Sequence, residues 1–435
     1  MKKFVFILFL FGFLLGSCSD LSDAPVPEEP TGKVKVSLSS RSEQDAIKIA
    51  LDACNRMYGN DVKSRGIEGL KVIKTYAKNG KSRSQGSCEL YIVNFPDSAG
   101  YAIVPTSTQL PELVALTESG SIASIDEIEV PMAKYFIYDA LTPNATIRDT
   151  NKVIISQQIY EYDTVANYIV APKASWNWSQ HGFESQFFRN GMVGCTNLAA
   201  SMVLAYFEYP KSLNLTFNGT EYNTRKRDLV TFNWPLIKTH KYNPDRKQTH
   251  SNCVAVTETH QELAEICAEL AYRSGATPVE ITIDNKTMNA TSTFFDNSIS
   301  QLQKILSNRQ CTYRTLIDSM IGAYLTRGII MMSGTDYTNK IGHTWIVDGC
   351  QWIEYWERTY IKTTLTGPGK LVDERYCTYS YLHFNWGFGG MDNGYFYVKS
   401  ENPTFNPNKD GTEKEGESIE IENYNFKFEK YAVFI

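Results

Sequence analysis

Three stretches of the 435-residue chain bring together residue types that can do chemistry. The first is Gly194-Cys195, which opens the apolar run CTNLAASMVLAY. A thiol at a helix N-terminus meets unpaired backbone N–H groups and the positive end of the helix dipole, and both favour thiolate. The glycine before it lets a substrate backbone come close. Taken alone the signal is weak, and a core cysteine is the more ordinary reading of Cys195. The second is Gly342-His343, where a histidine starts an apolar strand that ends at Asp348-Gly349. His343 suits a general base, and a satisfied structural histidine is the other reading. The third is His383-Phe384-Asn385-Trp386-Gly387-Phe388-Gly389-Gly390. Asn385 can accept a hydrogen bond from an imidazole and fix its tautomer, with Trp386 covering that bond from water. A glycine-rich hairpin with buried aromatics is the alternative. His343 follows Cys195 by 148 residues, and the order Cys, His, Asn at this spacing points to nucleophilic thiol chemistry.

The flanking elements are readable from hydrophobic periodicity. Residues 42–59 carry Ala46, Ile49, Ala50, Ala53 and Met57 at helical spacing, with Gly59-Asn60 as the stop. Strand-like runs follow at 71–76, 89–95, 100–105 and 112–118, separated by turn residues, and a helix is expected over 131–141. Residues from about 36 to 145 therefore read as a small unit with a helix against an antiparallel sheet. Residues 143–175, with Pro143, Asn144 and Pro172, read as a boundary accessible to cleavage. The second unit starts near Trp176. Its helices fall at 195–206, 258–275, 298–306 and 315–326. Strands follow at 328–333, 344–348, 352–363, 379–385 and 394–399. Helices first and strands later is an α+β pattern.

The N-terminus bears on compartment. Lys2 and Lys3 precede an apolar run, Phe4 to Leu15, too short to span a bilayer. The run ends in Leu15-Gly16-Ser17-Cys18, which resembles a bacterial lipobox whose cysteine accepts a diacylglycerol; an ordinary secretory signal is the alternative. Residues 1–17 are thus expected to be a signal peptide. Residues 18–35 read as an acidic, Pro-rich tether, with acidic residues after Cys18 that resemble the surface-export signal of Bacteroides-type lipoproteins. The chain is expected to be exported and lipid-anchored at the outer membrane, with the cell surface as one of its faces. A net charge of −5 gives no support to a polyanion-binding surface, and 42% hydrophobic residues is ordinary for a globular chain. The histidines lack the spacing of a zinc site, so no cofactor or metal is expected. Cys350 and Cys377 flank one inserted stretch and are a candidate disulfide, although sequence cannot fix connectivity.

Together, Gly194-Cys195, Gly342-His343 through Asp348-Gly349, and Asn385-Trp386-Gly387-Phe388-Gly389-Gly390 resemble the streptopain family of cysteine peptidases. Phe232-Asn233-Trp234 and Asp392-Asn393-Gly394-Tyr395-Phe396 fit the same pattern. Tyr91 to Val104 (YIVNFPDSAGYAIV) looks like the inhibitory prodomain that precedes the catalytic domain in that family. The resemblance implies a prodomain over 36–150 and a papain-like catalytic domain over 151–435. It makes Cys195 the nucleophile, His343 the general base and then acid, and Asn385 the residue that orients His343 beneath Trp386. Gln180, 15 residues before Cys195, stands where such enzymes keep an oxyanion-hole glutamine; an ordinary surface amide is the other reading. Protein or peptide substrates are implied, with the prodomain bound in cis and cut near 145–175. Met202 departs from the usual Gln, Ile281 to Thr293 replaces a Gly/Ser-rich loop, and Cys350 to Tyr379 is a longer excursion between His and Asn. Two rivals remain on sequence: a transglutaminase-like acyltransferase, and a surface binding lipoprotein that keeps the fold without activity.

Overall fold

The computed structural model describes residues 40–59, 68–77, 88–108, 110–142, 157–224, 227–240, 258–283, 286–307, 309–314, 321–336, 341–362, 370–398, 420–421 and 424–435. The expected signal peptide, the tether and Cys18 lie outside them. In the N-terminal unit, α1 (Glu43–Tyr58) starts at a capping box in which Ser42 and Asp45 satisfy each other's backbone N–H. Its buried face carries Ala46, Ala50, Ala53 and Met57, as the periodicity requires. Strands β1 (Lys71–Ala77), β2 (Cys88–Asn94), β3 (Tyr101–Pro105) and β4 (Ala115–Thr117) follow. Helix α2 (Pro131–Leu141) has Pro131 in its first turn, where a missing N–H costs nothing.

Strand β5 (Gln157–Val170) comes next and corrects the expected linker: residues 157–170 pair with a long strand of the second unit instead of forming a cleavable connection. A helical half then holds α3 (Cys195–Phe207), the ribbon β6 (Ser212–Asn214) and β7 (Leu229–Thr231), α4 (Trp234–Ile237) and α5 (Glu258–Arg273). The hairpin β8 (Thr277–Ile283) and β9 (Lys286–Ser292) takes in most of the stretch expected as a replaced loop, and α6 (Phe295–Ile305) follows it. The rest is β10 (Cys311–Arg314), α7 (Ile321–Arg327), β11 (Ile329–Asp336), β12 (Ile341–Lys362), β13 (Lys370–Asn385), β14 (Gly394–Val398), β15 (Glu420–Ile421) and β16 (Tyr424–Phe434).

The strands build one large antiparallel sheet in the order β1-β2-β3-β4-β14-β13-β12-β11-β16-β10, with β5 on β12 and β15 on β16. The sheet runs unbroken from the N-terminal unit into the second unit through β4 and β14, where Thr117 faces Gly394 and Ala115 faces Phe396. A Cβ at Gly394 would sit 2.2 Å from Leu116 O, so only glycine permits this approach. One apolar core lies under both units and joins Phe136, Ile137 and Leu141 to Trp345, Phe384, Trp386 and Phe396. A second core fills the helical half around Trp178, Leu198, Met202, Trp234 and Ile266. Met202 is thus a core residue of α3.

The excursion Cys350 to Tyr379 forms the paired ends of β12 and β13, so the two strands expected at 344–348 and 352–363 are one, with a register shift between Val347 and Gly349. Cys350 is a buried free thiol, which corrects the candidate disulfide with Cys377; in the register Cys350 faces Leu382 and Cys377 faces Tyr355. Among the described residues, no helix is long and apolar enough to cross a membrane.

Candidate active site

Gly194 takes φ 84° as the cap of α3, and a Cβ there would lie 2.6 Å from Thr291 O, so glycine alone fits between the nucleophile turn and the end of β9. Cys195 is the first helical residue and is partly buried. Burial pushes its thiol pKa up, while backbone N–H groups of Thr344 and Thr196 pull it back. The two elements meet here: Thr196 Oγ1 lies 3.0 Å from Thr344 Oγ1, one residue from Cys195 on α3 and one from His343 on β12. Asn197 Nδ2 donates to Val193 O at 2.8 Å and to Thr293 Oγ1 at 3.0 Å, which fixes the turn from below.

His343 is buried, and its Nε2 lies 3.0 Å from Trp386 O. A carbonyl only accepts, so Nε2 carries the proton. The ring stacks on Trp345 at 5.9 Å and on Phe388 at 5.2 Å between centroids. Burial pushes its pKa down to about 4, with the Trp386 carbonyl opposing. At neutral pH the thiol and the imidazole are therefore both uncharged.

Asn385 is turned elsewhere. Its Nδ2 donates to Ala174 O at 2.7 Å and Trp176 O at 3.0 Å, and its Oδ1 accepts from Gly387 N–H at 3.2 Å. It fastens the irregular segment leading to Gln180 onto the glycine loop. Trp386 is fully buried; its backbone N–H donates to Asn393 Oδ1 and its indole N–H to Asp392 O, both at 2.9 Å. Gln180 is buried, with its N–H on Gly387 O at 3.2 Å and its carbonyl receiving Val193 N–H at 3.0 Å. The structure thus brings Cys195 to the strand of His343, and Gln180 to the residues just before Cys195. It brings His343 to the main chain of Trp386 and not to the side chain of Asn385.

A second histidine in the quoted motifs went unassigned. His383 Nδ1 lies 2.6 Å from Asp348 Oδ1, and Nε2 lies 3.1 Å from Glu118 Oε1 of the N-terminal unit. Burial alone would lower its pKa, but the Asp348 and Glu118 carboxylates override burial and hold it up at about 10. Asp348 Oδ2 also accepts from Lys173 N–H at 2.8 Å and Ala174 N–H at 2.5 Å. The signal was present in part: Asp348 ends the apolar run after His343, and His383 precedes Asn385 by two residues. Glu118 is 265 residues from His383 and gave no local cue.

The N-terminal unit also reaches the aromatic nest of His343. Phe136 on α2 packs 4.8 Å from Phe384, 6.1 Å from Trp386 and 6.3 Å from Trp345. Asp392, on the loop after Trp386, accepts from Tyr101 O–H at 2.9 Å and from Val130 N–H at 3.4 Å.

A cysteine opening a buried helix, set against a histidine on an antiparallel sheet, defines the papain-like class of cysteine peptidases. Within that class the chain belongs to the Peptidase C10 family, the streptopain family, whose model matches residues 171–396. Among solved structures it is similar to a fragment of prointerpain A from Prevotella intermedia, with 15% sequence identity and a TM-score of 0.46, covering 83% of this chain and 97% of that one. No curated protein matches the chain.

Proposed function

We propose that the chain is an exported, lipid-anchored cysteine endopeptidase made as a zymogen. The observation that carries this reading is Cys195 at the tip of α3, its sulfur met by the Thr344 N–H of β12, the strand that carries His343, inside the C10 match. Gln180, one hydrogen bond from Val193, supports an oxyanion role for its side-chain amide together with the Cys195 N–H. The described form is the resting one. Its imidazole points at Trp386 O, and its thiol and imidazole are both neutral. The N-terminal unit, residues 36–150, packs Phe136 under the nest that holds the ring and binds Asp392 on the loop after Trp386. Its departure after a cut in residues 145–156 loosens that nest and lets His343 turn toward Cys195.

The reaction then follows from thiol chemistry. The proton passes from Sγ to His343, and the imidazolium lowers the thiol pKa. The thiolate adds to the scissile carbonyl, and Gln180 with the Cys195 N–H stabilises the oxyanion. His343 protonates the leaving amine, giving a thioester. It next takes a proton from water, whose oxygen attacks the acyl carbon and frees the thiol. Trp386 keeps water off the imidazole, while Asn385 orients it in the assembled site.

The test is casein digestion under mild reducing conditions by residues 19–435 beside the Cys195→Ala variant, with chain mass followed by mass spectrometry. We expect the wild type to shorten itself at 145–156 and degrade casein, and the variant to do neither. Silence of the wild type after its N-terminal unit has been removed by an added protease would leave the binding-lipoprotein reading in its place.

A further inference from the structure

We infer that Glu184 is a positioning residue for the oxyanion side of this site, acting through the backbone of Gln180; the inference rests on the peptidase reading above. Glu184 is fully buried, 11 residues before Cys195. Its Oε1 accepts from Ser179 N–H at 2.9 Å and stands 3.2 Å from Nε2 of the buried His240. Its Oε2 has no hydrogen-bond partner among the described residues. A buried carboxylate with one oxygen unmatched is costly, and an isosteric apolar residue fills such a space more cheaply.

What Glu184 holds explains why a carboxyl group sits here. Ser179 N–H belongs to the four-residue stretch Trp178–His181 that carries Gln180. That stretch is fixed on its other sides by Gln180 N–H on Gly387 O at 3.2 Å, Gly389 N–H on Trp178 O at 2.9 Å, and Val193 N–H on Gln180 O at 3.0 Å. These bonds tie it to the glycine loop after Trp386 and to the turn before Cys195. Trp178 seats it in the core of the helical half by packing. Glu184 adds the polar tie, because His240 follows α4, where its N–H bonds Ile237 O, and Phe183 packs against the His240 ring at 6.0 Å. Gln180 is only 5% exposed, and the main-chain bonds on either side of it decide where its amide starts. An oxyanion donor misplaced by even a fraction of an ångström loses most of its effect. The Ser179–Glu184 bond sets where the Gln180 side chain starts.

The test uses the full chain after its own activation, with a fluorogenic peptide copied from a casein site that the wild type cuts. The variants are Glu184→Ala, Glu184→Gln, Glu184→Asp, Gln180→Ala and Gln180→Ala/Glu184→Ala. Loss of one oxyanion donor lowers kcat by roughly 10²–10³-fold. We expect that loss in Gln180→Ala. Glu184→Ala should lower kcat by roughly 10²-fold with KM little changed. Glu184→Gln, which still accepts from Ser179 N–H, should stay within about threefold of wild type. In the double variant the second substitution should add less than about threefold, since it acts through the group already removed. If Glu184→Ala does not fold, Glu184→Asp carries the test, because its shorter reach lets go of Ser179 N–H while keeping the charge. Wild-type kcat in Glu184→Ala or Glu184→Asp overturns the inference, as does a full undiminished loss on top of Gln180→Ala. Wild-type kcat in Gln180→Ala instead sinks the oxyanion reading itself, so the two failures are distinct.

Discussion

Burial acts alike on the two histidines near the site, lowering both, and their neighbours send them in opposite directions. His343 faces a single carbonyl and aromatic rings, so burial lowers it from 6.5 to about 4. His383 faces two carboxylates and rises to about 10. Linkage gives each a sign. Between pH 6.5 and 4 the unfolded chain binds the proton that buried His343 refuses, so its contribution to stability falls as pH falls. For His383 the stabilisation is complete below pH 6.5 and is lost as pH rises toward 10. Thermal unfolding of the full chain from pH 5 to pH 10 should show a fall at each end. His383→Gln should remove the alkaline fall and leave the acid one; an unchanged alkaline limb would contradict the Asp348–His383–Glu118 account. Asn385 has a different measurable weight. Asn385→Ala orphans Ala174 O and Trp176 O, at roughly 1–3 kcal/mol for each buried acceptor. A denaturant midpoint unchanged by that substitution would show that Asn385 does not fasten this segment.

At the scale of elements, much of the scaffold is legible in local sequence. Ser42 with Asp45, Pro131, Gly59 and Gly275 punctuate their helices through chemistry confined to one turn, and α1, α2, α3 and α5 appear where periodicity puts them. Strand β5 is not legible, because its identity comes from pairing with β12 nearly 200 residues away, and its end carries exposed Asn167, Tyr168 and Ile169 with no alternation. Strand β16 was missed for the same reason: its partners β10 and β11 lie far back in the chain. The candidate residues were legible as types and spacing. The rotation of His343 was not, because the Trp386 carbonyl and the Phe388 ring, from a stretch 43 residues further on, set it together with Trp345. On the zymogen reading, helix α2 links stability to latency. Phe136→Ala should cost about 3–5 kcal/mol through the cavity it leaves. It should also free the His343 nest, so the full chain should process itself faster than wild type; a destabilised variant with unchanged processing would detach α2 from inhibition.

Across the whole molecule, the N-terminal unit is welded to the rest by a shared sheet, a shared core and the Glu118–His383 contact. A prodomain held only by a loop over the cleft would leave the sheet edge at β14 bare; here β4 covers it. Removing the unit therefore exposes a strand edge and strips one carboxylate from His383. Glu118→Gln should weaken docking and quicken self-processing at pH 7, read by mass spectrometry over time. A slower or unchanged rate would mean that the Glu118–His383 pair does not hold the unit in place.

On the zymogen reading, the thiol-imidazole pair lies uncharged until the N-terminal unit leaves. The most direct measurement is the rate of iodoacetamide alkylation at the Cys195 peptide against pH, before and after that unit is removed, with Cys195→Ala as blank. The account predicts that in the full chain the rate climbs only above about pH 9, the ordinary thiol value that burial pushes upward. After removal a plateau should extend into the acid range, the mark of a thiolate paired with imidazolium. An acid plateau already present in the full chain, or a profile unmoved by removal, would contradict the account.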